Sequence, residues 1–290
     1  MAKISEILST EKPTLSFEVF PPKTEDKYEG VEKAALDIAT LHPSFISVTY
    51  GANGGTRRYT SDIAGDIAKN GVSSLAHLTC VASNKESVDE ALKIYKEKGI
   101  ENILALRGDL PENLTEMPKD ADFHHASDLT SYIKSKGDFC IGGACYPEGH
   151  PEAANKDQDI LNIKKKVEAG CEFLTTQMFF ENSIMFNYMY RLREAGVTVP
   201  VCAGIMPITN ANQVKRSIQL SGSVMPPRFL ALVDKFGDNP KAMKQAGIAY
   251  ATDQIIDLIA NGINHIHVYS MNKPEVAEAI AKNLSDIVVL

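Results

Sequence analysis

The chain has 290 residues, of which 44% are hydrophobic and 23% are charged. That composition is typical of a folded globular protein and excludes global disorder and collagen-like repeats, and the length fits either two ordinary domains or one large barrel. The formal net charge of -7 argues against a general nucleic-acid binder, because such a protein needs a dense basic face to displace counterions.

Eight apolar runs rich in β-branched residues alternate with segments of helical periodicity. Several runs are hydrophobic at nearly every position, as expected for strands buried on both faces of a parallel sheet. In chain order, the predicted strands are Thr14–Phe20, Phe45–Gly51, Ser73–Cys80, Asn102–Asp109, Cys140–Pro147, Phe173–Phe180, Val199–Ile205 and His265–Met271.

The segments between these runs predict helices. In Ser87–Lys98 the apolar residues recur at i, i+3, i+4 and i+7, which is the spacing of one helix face. Asp157–Ala169 and Asn182–Ala195 are the clearest of the other helices. Residues 210–262 contain at least two more helical stretches, so extra helices precede the last strand.

Strands that alternate with helices in this way predict a (β/α)8 TIM barrel, and an open doubly wound sheet is the main structural alternative. No linker rich in Pro, Gly and Ser divides the chain. No predicted strand is followed by the glycine pattern of a dinucleotide-binding fold or of a P-loop. We therefore expect residues 1–290 to form a single barrel domain.

The cysteines and the amino terminus indicate the compartment. The chain has 5 cysteines and no C-x-x-C pair, which argues against a disulfide framework or a structural zinc site and favours a reducing compartment. Residues 1–12 lack the apolar core of a signal peptide. The longest uncharged stretch, residues 195–214, is interrupted by two prolines. These features predict a cytoplasmic protein without a membrane span.

Glu18 is the first candidate for chemistry, because functional residues of a barrel gather at the carboxyl ends of its strands. It lies in an apolar strand between Phe17 and Val19. Loss of solvation there should raise the pKa of its carboxyl group, which suits a general acid near neutral pH. The alternative is a structural carboxylate paired with a buried Arg or Lys.

Arg107, Gly108 and Asp109 end the fourth predicted strand. Arg107 offers a fixed fork of donors for a phosphate or carboxylate, and Gly108 lets the backbone approach a planar ligand closely. Asp109 can accept hydrogen bonds from ring N–H groups. The alternative is an Arg107–Asp109 pair that closes a turn.

The loop Tyr146–Pro151 follows the fifth strand and holds an aromatic ring, an acid and His150. No His or Cys lies at ligand spacing, which argues against a metal and favours stacking or hydrogen bonding to a cofactor. The alternative is a stiff loop with a satisfied histidine. Lys164–Lys166 on the next helix form a solvated face or, alternatively, one of these lysines turns toward a pyrophosphate. Together these residues indicate a small-molecule enzyme with a large, planar, anionic ligand.

Five strings carry a resemblance to a known family: SFEVFPPK from Ser16, SVTYGAN from Ser47, HLTC from His77, LRGDLP from Leu106 and YPEGHPEA from Tyr146. They resemble methylenetetrahydrofolate reductase in its bacterial catalytic-domain form. The match runs in the same order from about Thr14 to Lys273.

The resemblance implies a barrel that binds FAD noncovalently and has no regulatory domain. It implies reduction of 5,10-methylenetetrahydrofolate to 5-methyltetrahydrofolate, a step of one-carbon metabolism and methionine biosynthesis. NADH or NADPH would reduce the flavin first, and the folate would then take the hydride in a ping-pong scheme. The partners would be small molecules, and we expect a homo-oligomer.

The family roles pass to individual residues of this chain. Glu18 would be the general acid that protonates N10 of the folate as its five-membered ring opens to a 5-iminium cation. Asp109 would lie near the flavin and the pterin, where its charge favours a cationic folate. The FAD-contacting positions would be Thr49, Tyr50, Ala52, His77, Arg107, Gly108, Asp109, Ala126, Tyr146, His150, Ala153, Asp159, Asn162, Lys165 and Lys166. The substrate-contacting positions would be Glu18, Asp109, Gln177, Gln213, Tyr269 and Lys273.

The chain departs from the family pattern at two positions. The best-studied bacterial members have a phenylalanine that stacks on nicotinamide and folate where this chain has Ser217. They have an arginine where it has Lys273, which keeps the charge but loses the bidentate fork. A protein electron donor therefore stays open beside NADH and NADPH.

Two alternatives to a reductase also stay open. The first is a folate-binding barrel methyltransferase without redox chemistry, which would be colourless. The second is a barrel kept as a binding or assembly subunit, and the joint presence of Glu18, Asp109 and Gln177 argues against it.

Overall fold

Eight parallel strands close into a barrel in the computed structural model, which describes residues 1–50, 57–81, 83–110, 117–221 and 223–288. The strands are β1 (Thr14–Val19), β2 (Ile46–Val48), β3 (Ser74–Thr79), β4 (Asn102–Leu106), β5 (Cys140–Cys145), β6 (Phe173–Thr176), β7 (Val201–Ile205) and β8 (His265–Tyr269). The helices are α1 (Ile4–Ile7), α2 (Tyr28–Ala39), α3 (Arg57–Lys69), α4 (Lys85–Glu97), α5 (Ala126–Lys136), α6 (Lys156–Glu168), α7 (Asn182–Glu194), α8 (Asn212–Ser221), α9 (Pro227–Phe236), α10 (Pro240–Ala260) and α11 (Pro274–Asn283).

The barrel closes where β8 returns to pair with β1, with Phe17 aligned with Val268. Every other strand pairs in parallel with its successor. The (β/α)8 prediction is therefore confirmed, and the open doubly wound sheet is excluded. Because parallel strands joined by helices all run the same way, their carboxyl ends meet at one rim of the barrel.

The predicted strands are right in number and order, but most extend too far at the carboxyl end. β6 ends at Thr176 rather than Phe180, and β4 ends at Leu106 rather than Asp109. Hydrophobicity does not mark where a strand leaves the sheet, because Phe180 is also buried, in a separate cluster under α9 that includes Phe229. The predicted extra helices before β8 are present as α8, α9 and α10.

The apolar side chains form two layers around the sheet. The outer layer packs strands against helices, for example Val48 and Leu78 with Ile63. The inner layer fills the amino-terminal half of the barrel with Leu104, Phe173 and their neighbours, and α1 is part of the same cluster. The interior is thus closed by apolar packing at one end, which leaves the opposite rim for polar groups.

None of the described helices is long and apolar enough to cross a membrane. The five cysteines are free and buried. In the part of the chain that the structure describes, no group of three His, Cys, Asp or Glu residues is arranged to hold a metal ion.

Candidate active site

Glu18 lies next to the last residue of β1, level with Ser47 of β2 and Tyr269 of β8. Its Oε2 accepts a hydrogen bond from Ser47 Oγ at 3.2 Å. Oε2 also lies 3.6 Å from Nε2 of His77, which belongs to β3 and is not adjacent to β1 in the sheet. A contact that skips a strand crosses the interior, so the Glu18 carboxyl group faces the inside of the barrel.

The neighbours of Glu18 leave it available for chemistry. Its side chain keeps 20% of its exposure, and no lysine or arginine among the described residues forms an ion pair with it. Its two ionisable neighbours are histidines, His77 and His267, at 3.6 and 3.8 Å. The buried Arg or Lys partner that a purely structural carboxylate requires is therefore missing from the described part of the chain.

His77 is neutral at physiological pH. Burial lowers its pKa from 6.5 to about 4, and the nearby Glu18 acts in the opposite direction with a smaller effect. Its Nε2 is buried and has no hydrogen-bond partner within the described residues. A buried polar atom without a partner is costly, so this nitrogen is a candidate for a ligand contact.

The end of β1 is held by the loop that follows β8. Ser270 Oγ donates a hydrogen bond of 2.6 Å to the backbone oxygen of Glu18. The Asn272 side chain accepts from Phe20 N at 2.9 Å and donates to Phe20 O at 2.8 Å. Asn272 has a positive φ of 53°, a conformation that Asn tolerates better than most residues. These contacts fix the backbone on both sides of the Glu18 side chain.

Arg107 pairs with Glu152 rather than with Asp109. Both terminal nitrogens of its guanidinium bind the two carboxylate oxygens of Glu152, with Nη2 to Oε1 at 2.7 Å. This hydrogen-bonded pair raises the pKa of Arg107 and lowers that of Glu152. The turn-closing Arg107–Asp109 pair that the sequence left open is not formed, and Asp109 lies exposed at the rim.

Gly108 adopts a φ of +86°, and a Cβ built on it would lie 3.1 Å from the Cβ of Thr79. Both the conformation and the lack of space require glycine here. Thr79 and Val81 already occupy the space into which a side chain at this position would extend.

The loop after β5 is compact. The rings of Tyr146 and His150 meet edge to face with centroids 4.6 Å apart. His150 Nδ1 accepts from Glu152 N at 3.1 Å, and burial lowers the pKa of His150. The Nδ1 atom of His150 therefore has a hydrogen-bond partner within the loop, as the alternative of a stiff loop with a satisfied histidine predicts.

The lysines of α6 divide between its two faces. Lys165 is exposed, whereas Lys166 lies inward and donates from Nζ to Ala144 O at 2.8 Å. Burial lowers the pKa of Lys166 and raises that of Asp159, whose side chain is 4% exposed. Lys166 is thus the lysine of the basic run that turns inward, whereas Lys165 stays on the solvated face.

The remaining predicted FAD positions lie at or near the same rim. Thr49 and Tyr50 follow β2, and Tyr50 Oη accepts from Arg57 Nε at 2.5 Å. Ala126 begins α5, and Asn162 lies in α6, where it accepts from Gln158. Ala153 lies in the loop before α6. Ala52 lies outside the described residues.

Gln177, Ser217 and Tyr269 belong to the part of the barrel from β6 to β8. Gln177 follows β6 and accepts from Met178 N at 2.9 Å. Tyr269 Oη donates to Thr176 O at 2.5 Å, and burial raises the pKa of Tyr269. Ser217 is buried in α8.

Gln213 and Lys273 meet at Thr209. Gln213 Oε1 accepts from Thr209 N at 3.0 Å, and Lys273 Nζ donates to Thr209 Oγ1 at 3.0 Å. The structure thus brings together two predicted folate residues that are 60 positions apart in the sequence.

Sequence reasoning missed four residues of this region: Ser47, Glu152, His267 and Asn272. Ser47 and Glu152 lie inside the motif strings and could have been found there. His267 lies two positions before the end of β8, so a search restricted to strand ends passes over it. The alternation of side chains along a strand could have found His267, because residues two positions apart face the same side and Tyr269 was already a candidate.

A separate cleft of about 420 Å³ lies between α7, α9 and α10, where Arg228 forms an ion pair with Asp253 at 2.9 Å. None of the residues that line it is a predicted site residue. The candidate active site is therefore the polar rim around Glu18 and not this cleft.

The fold and the site define a (β/α)8-barrel protein with its polar groups collected at the carboxyl ends of the strands, which is where barrel enzymes hold their active sites. The chain belongs to the methylenetetrahydrofolate reductase family, since the family model described as "Methylenetetrahydrofolate reductase" matches residues 3–285.

Two relatives support this placement, and one solved structure shares the fold. A 5,10-methylenetetrahydrofolate reductase of Pectobacterium carotovorum is 35% identical over 93% of this chain and 89% of that protein. Methylenetetrahydrofolate reductase (NADH) 1 of Arabidopsis thaliana is 34% identical over 97% of this chain but only 50% of its own length. A Clostridium thermocellum structure, described as binding two copies of 5-methyl-5,6,7,8-tetrahydrofolic acid, matches with a TM-score of 0.66 over 99% of this chain and 100% of that chain. Its 16% identity supports the fold alone.

Proposed function

We propose that this protein is an FAD-dependent reductase of 5,10-methylenetetrahydrofolate, with Glu18 as the general acid. The observation that carries the proposal is the Glu18 carboxyl group itself: it faces the barrel interior at the rim and has no Lys or Arg partner among the described residues. A carboxyl group in such surroundings can hold a proton and deliver it to a bound substrate.

The residues of the rim fit FAD in charge and shape. The positive φ of Gly108 makes a tight turn after β4, and the hydrogen bonds of Arg107 to Glu152 and Gly108 do not use every N–H group of its guanidinium, which leaves donors for an anionic ligand. Lys166 adds a partly buried cation, and His77 Nε2 adds a buried polar atom that a ligand could satisfy. When bound, FAD would accept a hydride from NADH or NADPH and later pass a hydride to the folate.

The side chains of this chain would act on the folate in a defined order. Lys273 and Gln213 would bind the glutamate end, and Gln177 would orient the pterin. Glu18 would then transfer its proton to N10 as the bond between N10 and the methylene carbon breaks. Asp109 would stabilise the positive charge that develops at N5. The product, 5-methyltetrahydrofolate, would leave before the next nicotinamide enters, in a ping-pong sequence.

The identity of the electron donor is a separate question, because this chain has Ser217 where the best-studied bacterial members of the family have a phenylalanine that stacks on nicotinamide. The name of the Arabidopsis relative favours NADH. Reduction of the bound flavin by NADH, by NADPH, or only by an electron-carrier protein would distinguish the three donors.

Anaerobic stopped-flow of the purified protein with FAD tests the proposal in its two halves. In Glu18→Gln, the pyridine nucleotide should reduce the bound flavin as fast as in the wild type. Reoxidation of that flavin by methylenetetrahydrofolate should slow by about 100-fold or more, the loss typical of a general acid. Glu90→Gln, an exposed change on α4, is the control and should leave both halves unchanged. Full folate turnover by Glu18→Gln would contradict the acid assignment, and a protein that binds no flavin would contradict the reductase.

A further inference from the structure

We propose that His267 is a positioning residue that shares one proton with Glu18 through the hydroxyl group of Ser47. The inference rests on the proposed function, because it concerns how Glu18 keeps the proton that it donates. Its basis is a continuous line of hydrogen bonds that crosses the barrel interior from β8 to β1.

The line of hydrogen bonds has four side chains. His267 Nε2 lies 3.0 Å from Ser47 Oγ, which in turn lies 3.2 Å from Glu18 Oε2. On the other side of the ring, His267 Nδ1 lies 2.8 Å from Ser16 Oγ, and Ser16 Oγ donates to Ile266 O at 2.9 Å. The His267 side chain is 1% exposed, so these serines replace water as its partners.

The carbonyl of Ile266 sets the direction of the whole line. A carbonyl oxygen can only accept, so the single hydroxyl proton of Ser16 points to Ile266. Ser16 Oγ must then accept from His267, which places a proton on Nδ1. In its neutral form His267 therefore leaves Nε2 bare toward Ser47.

With one ionisable proton on Glu18 and His267 together, the line of hydrogen bonds has two complete arrangements. In the first, Ser47 donates to His267 Nε2 and a protonated Glu18 donates to Ser47. In the second, a doubly protonated His267 donates to Ser47, and Ser47 donates to the Glu18 carboxylate. In both arrangements Glu18 and His267 together hold one ionisable proton. Without that proton, Ser47 can donate to only one of its two acceptors, so one of the two contacts lacks a hydrogen bond.

The other groups around His267 leave Glu18 as its partner for the proton. His77 on β3 is neutral, because its pKa is about 4. The Tyr269 ring meets His267 at 5.7 Å with its hydroxyl committed to Thr176, and the Phe45 ring stacks on the other side at 5.4 Å. No Lys or Arg ion pair reaches Glu18 within the described residues.

The shared proton has a consequence for the reaction. When Glu18 transfers its proton to N10, the O–H bond of Glu18 breaks and an N–H bond of the folate forms. Ser47 then turns its proton from His267 Nε2 to the new carboxylate, and water returns one proton to the pair after product release. Because loss of this proton leaves one of the two buried contacts without a hydrogen bond, its removal from the pair carries a cost that Glu18 alone would not bear.

Two variants separate this relay from simple packing. Ser47→Ala cuts the line without touching either ionisable group, and His267→Gln removes the second proton site. In single-turnover reoxidation of the holoenzyme by methylenetetrahydrofolate, both should lose activity at the alkaline side about one pH unit earlier than the wild type. His265→Gln is the matched control: it lies on the same strand and contacts Thr14 through Nδ1 at 3.1 Å, at the opposite end of the barrel. It should keep the wild-type profile.

A spectroscopic readout tests the direction of the line. Histidine 15N NMR of the holoenzyme should show Nδ1 of His267 protonated across the whole pH range, with the resonance assigned by its loss in His267→Gln. The opposite tautomer would overturn the relay. If Glu18→Gln loses reoxidation of the flavin by methylenetetrahydrofolate but Ser47→Ala and His267→Gln keep the wild-type pH profile, the shared proton is overturned and the proposed function stands. Retained reoxidation in Glu18→Gln would instead overturn the proposed function.

Discussion

At the scale of the residue, Arg107 shows how a pair can build a site and still leave donors for a ligand. Its fork holds Glu152, which belongs to the loop after β5, while its Nε donates to Gly108 O at 3.2 Å. One planar group thus connects the ends of two strands. A lysine keeps the charge at such a position but has no rigid fork.

Arg107→Lys should therefore weaken FAD binding by about tenfold, the equivalent of one lost charge-assisted hydrogen bond. Flavin fluorescence during titration of the apoprotein measures the dissociation constant. Arg191→Lys is the control, because Arg191 also pairs with a carboxylate, Asp157 at 2.9 Å, but on the outer surface between α6 and α7. Equal FAD affinity in Arg107→Lys and the wild type would show that the fork has no part in binding.

At the scale of the element, β7 depends on a position without a side chain. A Cβ on Gly204 would collide with the backbone oxygen of Thr176 on β6 and would lie 2.6 Å from Tyr269 Oη on β8. The strand can thus fit between its neighbours only as glycine, and the hydrogen bond from Tyr269 to Thr176 passes through the space that this glycine leaves.

Gly204→Ala should lower the free energy of unfolding by about 1–3 kcal/mol, as overpacking in a rigid interior does. The urea midpoint at constant m-value measures the change. Gly30→Ala on α2 is the matched control, since no atom lies within 4 Å of its added Cβ, and it should stabilise the protein by about 0.5–1 kcal/mol. Equal midpoints for Gly204→Ala and the wild type would contradict the packing argument.

At the scale of the whole molecule, the neutral His77 in the barrel interior couples folding to pH. The unfolded chain binds a proton at this residue below pH 6.5, whereas the folded protein does so only near 4. Between these values the unfolded state holds more protons, so the stability contributed by neutral burial is complete above the unfolded pKa and is lost as the pH falls through this window.

Between pH 7 and pH 4, the free energy of unfolding of the wild type should therefore fall by about 3 kcal/mol more than that of His77→Asn, which has no imidazole to protonate. Urea unfolding at a series of pH values, followed by circular dichroism, gives the comparison. His42→Asn, a change at an exposed position, should keep the wild-type slope. Parallel curves for His77→Asn and the wild type would rule out this histidine as the source of the acid sensitivity.

The sequence by itself determined the order of strands and helices, the barrel class and the strings that mark the family. Those properties are local: hydrophobic periodicity extends over one element, and each motif occupies a few consecutive residues. It also placed Glu18 and Arg107 near the carboxyl ends of their strands, because each is a charged residue that interrupts or follows an apolar run.

Only the tertiary structure decided the partners of these residues. Ser270 binds the backbone of Glu18 across 252 positions of the chain, and Arg107 takes Glu152 instead of its near neighbour Asp109. Such contacts depend on the closure and register of the barrel, which bring β8 beside β1 and turn alternate side chains into one interior. Local periodicity carries no information about which distant strand will close the ring, so the polar surroundings of Glu18 are a property of the folded barrel.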